Sequence, residues 1–115
     1  MKIEPKGPRA AQLRQRKFHL LSSLRIPPDA LPGSLALTHR RCGKSSCHCA
    51  SGKGHPQWSL TFMDKGKKRV ERIPNDLVDT IRKKVEEGRG FKEAVAEIMT
   101  ANADLLVLWR KEKDL

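Results

Sequence analysis

Tyrosine is absent from this 115-residue chain, and the remaining aromatics are only three Phe and two Trp. With 37% hydrophobic residues, so few large side chains limit the interior to one modest core, and a chain this lean gains from a staple such as a bound metal. Acidic residues are also scarce: 13 stand against 24 Lys and Arg, giving a net charge of +11 and a pI of about 10.1. That imbalance points to a polyanionic partner. No uninterrupted apolar run approaches the roughly 18 residues of a membrane span, which argues against a membrane partner. The charged start, Met-Lys-Ile-Glu-Pro-Lys-Gly-Pro-Arg, has no apolar h-region, so no secretory signal is expected. Three cysteines, an odd number, suit a reducing cytosol better than a disulfide framework. The expected location is cytoplasmic and nucleoid-associated. The length fits a basic, mobile arm over 1–8 followed by a single domain over 9–115.

All three cysteines fall in one stretch, Arg-Arg-Cys-Gly-Lys-Ser-Ser-Cys-His-Cys-Ala-Ser-Gly-Lys-Gly-His-Pro-Gln-Trp over 40–58. The spacing is Cys-x4-Cys-x-Cys-x5-His, not the common Cys-x2-Cys pair. Soft thiolates with an imidazole are the ligand set that tetrahedral Zn²⁺ prefers. The expected ligands are Cys42, Cys47, Cys49 and His55. His48 and His39 are alternatives for the fourth place, but His48 would have to turn away from two flanking ligands. His55 follows a flexible Ser-Gly-Lys-Gly segment and can fold back. Three thiolates and a neutral imidazole leave a zinc site formally at −1, which accounts for Arg40, Arg41 and Lys44 close by. A closed four-ligand site is structural. No orienting carboxylate of clear identity accompanies the thiols, so no enzyme is expected.

Along the chain, Leu13, Leu20, Leu21 and Leu24 recur at helical spacing, with Pro8 at a first helical turn and Pro27-Pro28 beyond the end. Leu35 and Leu37 alternate in a short strand over 34–39. Trp58, Leu60 and Phe62 alternate with Ser59, Thr61 and Met63, the clearest strand pattern in the chain. Asp64-Lys65-Gly66 is turn chemistry, and 67–73 is the returning strand. Asn75 is the expected N-cap of a following helix. From there one apolar stripe, Leu77, Ile81, Val85, Phe91, Val95, Ile98, Leu105 and Trp109, runs to the end, with Gly88 and Gly90 either weakening one helix or separating two. The expected fold is α+β: an N-terminal helix, a small three-stranded antiparallel sheet with a zinc-knuckle loop, and a long or broken C-terminal amphipathic helix. That helix has more apolar surface than one small sheet can cover, so part is expected on the first helix and part in a homodimer.

Positive charge is concentrated between residues 36 and 73, with nine basic and two acidic side chains, whereas residues 74–115 are close to balanced. Arg40, Arg41, Lys44 and Lys53 surround the cysteines, and Lys65, Lys67, Lys68, Arg69 and Arg72 crowd the hairpin. Ribbons and small sheets fit the DNA major groove and present such residues to phosphates and base edges. Alternation places Lys67 and Arg69 on one face and Lys68 and Arg72 on the other, and does not say which face binds. Trp58 and Phe62 alternate as core residues do, rather than as a base-stacking platform.

The Arg-Arg-Cys-Gly-Lys-Ser-Ser-Cys-His-Cys-Ala-Ser-Gly stretch, the following His55, Trp-Ser-Leu-Thr-Phe, Gly66-Lys67-Lys68-Arg69, and Ile73-Pro74 opening a long helix resemble an uncharacterised family of small prokaryotic proteins, often found near transposase genes. The resemblance spans roughly residues 10–109, and its specific part is Cys-Gly-Lys-x-x-Cys-x-Cys. Family members have His-Gly-Pro before an aromatic strand, whereas here His55 is followed directly by Pro56. The resemblance implies this architecture and a mobile-element setting. The expected function is a zinc-stabilised accessory or regulatory protein that binds nucleic acid, DNA rather than RNA. The alternatives are an adaptor for a transposase-like protein and a thiol-based metal or redox sensor.

Overall fold

Pro8 lacks the backbone N–H that a first helical turn leaves unpaired, so it starts α1 (Pro8–Ser23) at no cost. The structure is a computed structural model and describes residues 2–47, 51–52 and 54–113. Three strands follow, β1 (Ser34–Arg40), β2 (His55–Asp64) and β3 (Lys67–Ile73), then a single 3-10 turn at Asn75–Leu77 and the 36-residue α2 (Val78–Lys113). The architecture is the expected α+β arrangement. The chain divides into two compact units, Met1–Pro27 with Gly90–Leu115, and Pro28–Arg89.

In the first unit, α1 runs antiparallel to the second half of α2. The Lys6 backbone N–H donates to Glu112, while Arg16 pairs with Glu97 at 2.7 Å. Ala10, Leu13, Ala101 and Leu105 form the buried cluster, with Leu108 against it. Pro5, which the sequence places in the arm, is fully buried, and its carbonyl accepts from Arg14 at 2.8 Å. Hydrogen bonding from Arg16 holds the Glu97 carboxyl below its ordinary value. A carboxyl lowered in this way contributes stability above its unfolded pKa, and that contribution fades as pH falls through the lowered one. Trp109 carries the Lys113 ammonium 5.2 Å from its ring.

In the second unit, β2 is the central strand and pairs antiparallel with both neighbours. Lys65 and Gly66 both take positive φ, 52° and 82°. This is the two-residue turn whose twist suits a hairpin. Register puts Leu35, Leu37, Trp58, Leu60, Phe62, Arg69, Glu71 and Ile73 on one face. This face meets α2, where the Arg82 guanidinium lies 5.3 Å from the Trp58 ring and Leu60, Val78 and Val85 are buried. The other face carries Ala36, Thr38 and Arg40 from β1 and Lys68, Val70 and Arg72 from β3, all exposed.

Two expectations about α2 change. Asn75 is not the N-cap: Pro74 holds that position for the 3-10 turn, without a side-chain cap bond, and the α-helix proper begins at Val78. The buried stripe accordingly starts at Val78, and Leu77 is exposed. Gly88 and Gly90 do not break the helix. Gly88 is buried where the backbone of Leu31 crosses, and the Leu31 N–H donates to the Lys84 carbonyl at 3.0 Å.

Candidate metal centre

The last residue of β1 and the first of β2, Arg40 and His55, are paired partners, so the loop between them leaves and returns at one edge of the sheet. That loop supplies Cys42 and Cys47, and His55 opens the strand behind it. The ligating atoms of Cys42, Cys47 and His55 all lie within 4.8 Å of one another. The Cys47 sulfur is 3.3 Å from His55 Nε2. Tetrahedral zinc with S and N ligands at its usual bond lengths separates such atoms by about 3.5–3.8 Å. The cluster therefore has both the donor chemistry and the spacing to hold a metal ion. His39 sits on the opposite face of β1, paired with Pro56, and is outside this cluster. Cys49, His48 and Lys53 lie outside the described residues.

The loop is tied locally. The Cys47 N–H donates to the Lys44 carbonyl at 3.1 Å, closing a turn between the two thiols. Arg41 Nε donates to the Gly52 carbonyl at 3.1 Å. Gly54 has φ of +92°, and a Cβ there would stand 2.6 Å from the Arg40 carbonyl carbon and 2.7 Å from the Arg41 nitrogen. The backbone just before Cys42 thus passes where only glycine leaves room. Gly54→Ala is expected to push Cys42 away from His55 and weaken metal binding about 10- to 100-fold, as displaced supporting groups generally do. Competition with a chromophoric chelator measures it, and unchanged affinity would show that the close approach is not required.

Electrostatics separates the basic residues that the sequence groups together. Asp64 and Glu71, the two acidic side chains between residues 36 and 73, both bind Arg69, at 3.2 and 2.9 Å. Arg69 also lies over the Phe62 ring at 5.0 Å. The hydrogen bonds Arg69 donates to Glu71 and then to Asp64 raise its pKa further. Arg40, Lys68 and Arg72 point to the other face, and among the described residues none of them forms an ion pair. Lys65 lies in the hairpin turn, Lys67 on the Arg69 face, and Lys44 is exposed in the cysteine loop. Arg40, Arg41, Cys42, Gly43, His55, Pro56, Gln57 and Arg72 line one open recess of about 610 Å³ at the cysteine end of the sheet. Sequence reasoning missed Gln57 in this recess. Its alternation with Trp58 was visible, but its place beside Arg72 depends on strand register.

Fold and site together define a small α+β protein with a Cys/Cys/His cluster on a basic sheet edge. Residues 10–83 match a domain of unknown function, DUF6788, and the chain belongs to that family. The matched segment takes in most of α1, the whole sheet, the cysteine loop and the start of α2. No curated protein and no solved structure matches the chain. Among the described residues, no helix is long and apolar enough to cross a membrane.

Proposed function

We propose that this protein is a zinc-stabilised, non-enzymatic nucleic-acid-binding module of the cytoplasm, acting as an accessory or regulatory factor. One observation carries the reading: the cysteine–histidine cluster shares its sheet edge with Arg40, Arg41 and Arg72 in the most acid-poor part of the chain. The donor set favours zinc over hard cations, which prefer oxygen. The ion's part is to hold the loop closed, so that Arg40 and Arg41 are fixed at the end of β1. Cys49 is the fourth ligand in this reading.

Counterion release supplies the test. With about four phosphate contacts, the affinity for a 20-base-pair duplex is expected to fall about two orders of magnitude between 50 and 200 mM salt. Fluorescence anisotropy measures it. Absence of binding at 50 mM salt, or an affinity indifferent to salt, would refute the reading.

A second reading, an adaptor for a transposase-like protein, draws on α1. Phe18 is 72% exposed and Leu21, three residues on, is also exposed. Met99 and Leu106, seven residues apart and exposed on α2, suit a homodimer instead. A protein that purifies without nucleic acid but with one stable protein partner favours the adaptor. A protein that sediments as a dimer, and as a monomer after Leu106→Glu, favours self-association.

A further inference from the structure

We infer that the face of the sheet turned away from α2 is the surface that enters the major groove of double-stranded DNA, with Arg40, Arg72 and Lys68 as its phosphate and base-edge contacts. This rests on the nucleic-acid reading and narrows it to one face and one form of nucleic acid.

Charge selects the face. In the paired strands, register puts Asp64 and Glu71 on the α2 side, where both are engaged by Arg69. The opposite face carries Arg40, Lys68 and Arg72 and no acidic side chain. Arg40 and Arg72 come from the two outer strands and line the same recess, with Gln57 of the central strand between them. Register sets Arg40 opposite His55 and Arg72 opposite Ser59, so the two are separate phosphate contacts on opposite sides of the recess. Lys68 lies four residues from Arg72 along β3, about 13 Å away at strand rise.

Shape selects the duplex. Three strands about 4.8 Å apart put the outer strand axes roughly 10 Å apart, so side chains on this face span the ~12 Å major groove of B-DNA from rim to rim. The deep, narrow major groove of A-form RNA does not admit it. Single strands are held by stacking on aromatic rings. Here Trp58 and Phe62 face α2, beneath Arg82 and Arg69. The outward face instead offers Thr38 and Gln57 as hydrogen-bonding groups. Val70 and Met63, 56% and 62% exposed, are its apolar contacts. Those are the side-chain types that read amide, carbonyl and thymine-methyl edges.

The experiment uses the full chain with bound metal and a labelled 20-base-pair DNA duplex. Arg72→Ala and Lys68→Ala are each expected to weaken binding about 5- to 10-fold and to lower the salt slope by about 0.9, the contribution of one phosphate. Arg69→Ala and Lys67→Ala, on the α2 side, should stay within twofold. Metal content and the melting curve of Arg72→Ala and Lys68→Ala are expected to match the parent, because both side chains are exposed. Methyl green, a major-groove ligand, should displace the protein, and netropsin, a minor-groove ligand, should not. A parent that binds no duplex at low salt defeats the nucleic-acid reading itself. A parent that binds, with Arg72→Ala and Lys68→Ala binding equally well, defeats this face and leaves that reading standing. Equal affinity for double-stranded RNA or single-stranded DNA, or displacement by netropsin alone, overturns the major-groove assignment.

Discussion

Cys47→Ser is expected to lower bound zinc from about one ion per chain to a small fraction of that, with a loss of stability on the order of 5 kcal/mol in the unit that contains the sheet. The hydroxyl that replaces the thiolate is neutral at pH 7 and a poor zinc donor. The Cys47 sulfur lies 3.3 Å from His55 Nε2. The effect should reach the sheet because Arg40 and His55 are the final β1–β2 pair. The Arg41–Gly52 and Cys47–Lys44 hydrogen bonds are local to the loop, whereas an ion would tie Cys42 and Cys47 to the first residue of β2. The figure is below the about 10–16 kcal/mol typical of zinc-finger peptides, because the β2–β3 hairpin and the first half of α2 provide packing that an isolated finger lacks. Elemental analysis and calorimetry measure both changes. Parent protein that is metal-free and still shows the full melting transition would remove the structural role of the site.

Gly88→Ala and Gly90→Ala should move stability in opposite directions. Alanine is better than glycine by about 1 kcal/mol inside a helix, so propensity alone predicts a gain at both positions. At Gly90 nothing lies within 4 Å of an added Cβ, and the gain should appear as about 0.5–1 kcal/mol. At Gly88 the Cβ would stand 2.4 Å from the Leu31 carbonyl oxygen. Relieving that overlap means moving backbone that is also fixed by the Leu31–Lys84 hydrogen bond, at 3.0 Å. Overpacking of this kind costs about 1–3 kcal/mol or more and outweighs the propensity term, so a net loss of roughly 2 kcal/mol is expected. Urea unfolding of both variants with their parent checks the sign. A stabilised Gly88→Ala would mean that the Leu31 segment yields easily.

These two glycines also mark where the sequence was readable. Both interrupt a helical stripe in the same way, and propensity treats them alike. What distinguishes them is a segment 57 residues earlier, and no local pattern encodes that meeting. The hairpin was legible because Asp64-Lys65-Gly66 carries its own turn chemistry and Trp58, Leu60 and Phe62 carry their own period. Cys42, Cys47 and His55 were legible as a group because soft ligands packed this closely have few other uses. The division of the basic residues was not legible. It depends on Asp64 reaching Arg69 across the hairpin, a consequence of register, and on Glu71 reaching it from two residues along the same strand. The helix start was misread because Asn75 is a good cap in general, while here the Pro74 carbonyl closes a tighter turn first, accepting from Leu77 at 3.0 Å.

The placement of the two indoles has a practical consequence. Trp58 belongs to the unit with the sheet and lies beneath Arg82, and Trp109 belongs to the unit with α1 and lies beside Lys113. Trp109→Phe leaves an emission that follows only the sheet, and Trp58→Phe leaves one that follows only the helical pair. The chain thus carries a separate optical reporter for each half, so the melting of each can be followed in the intact protein without cutting it apart.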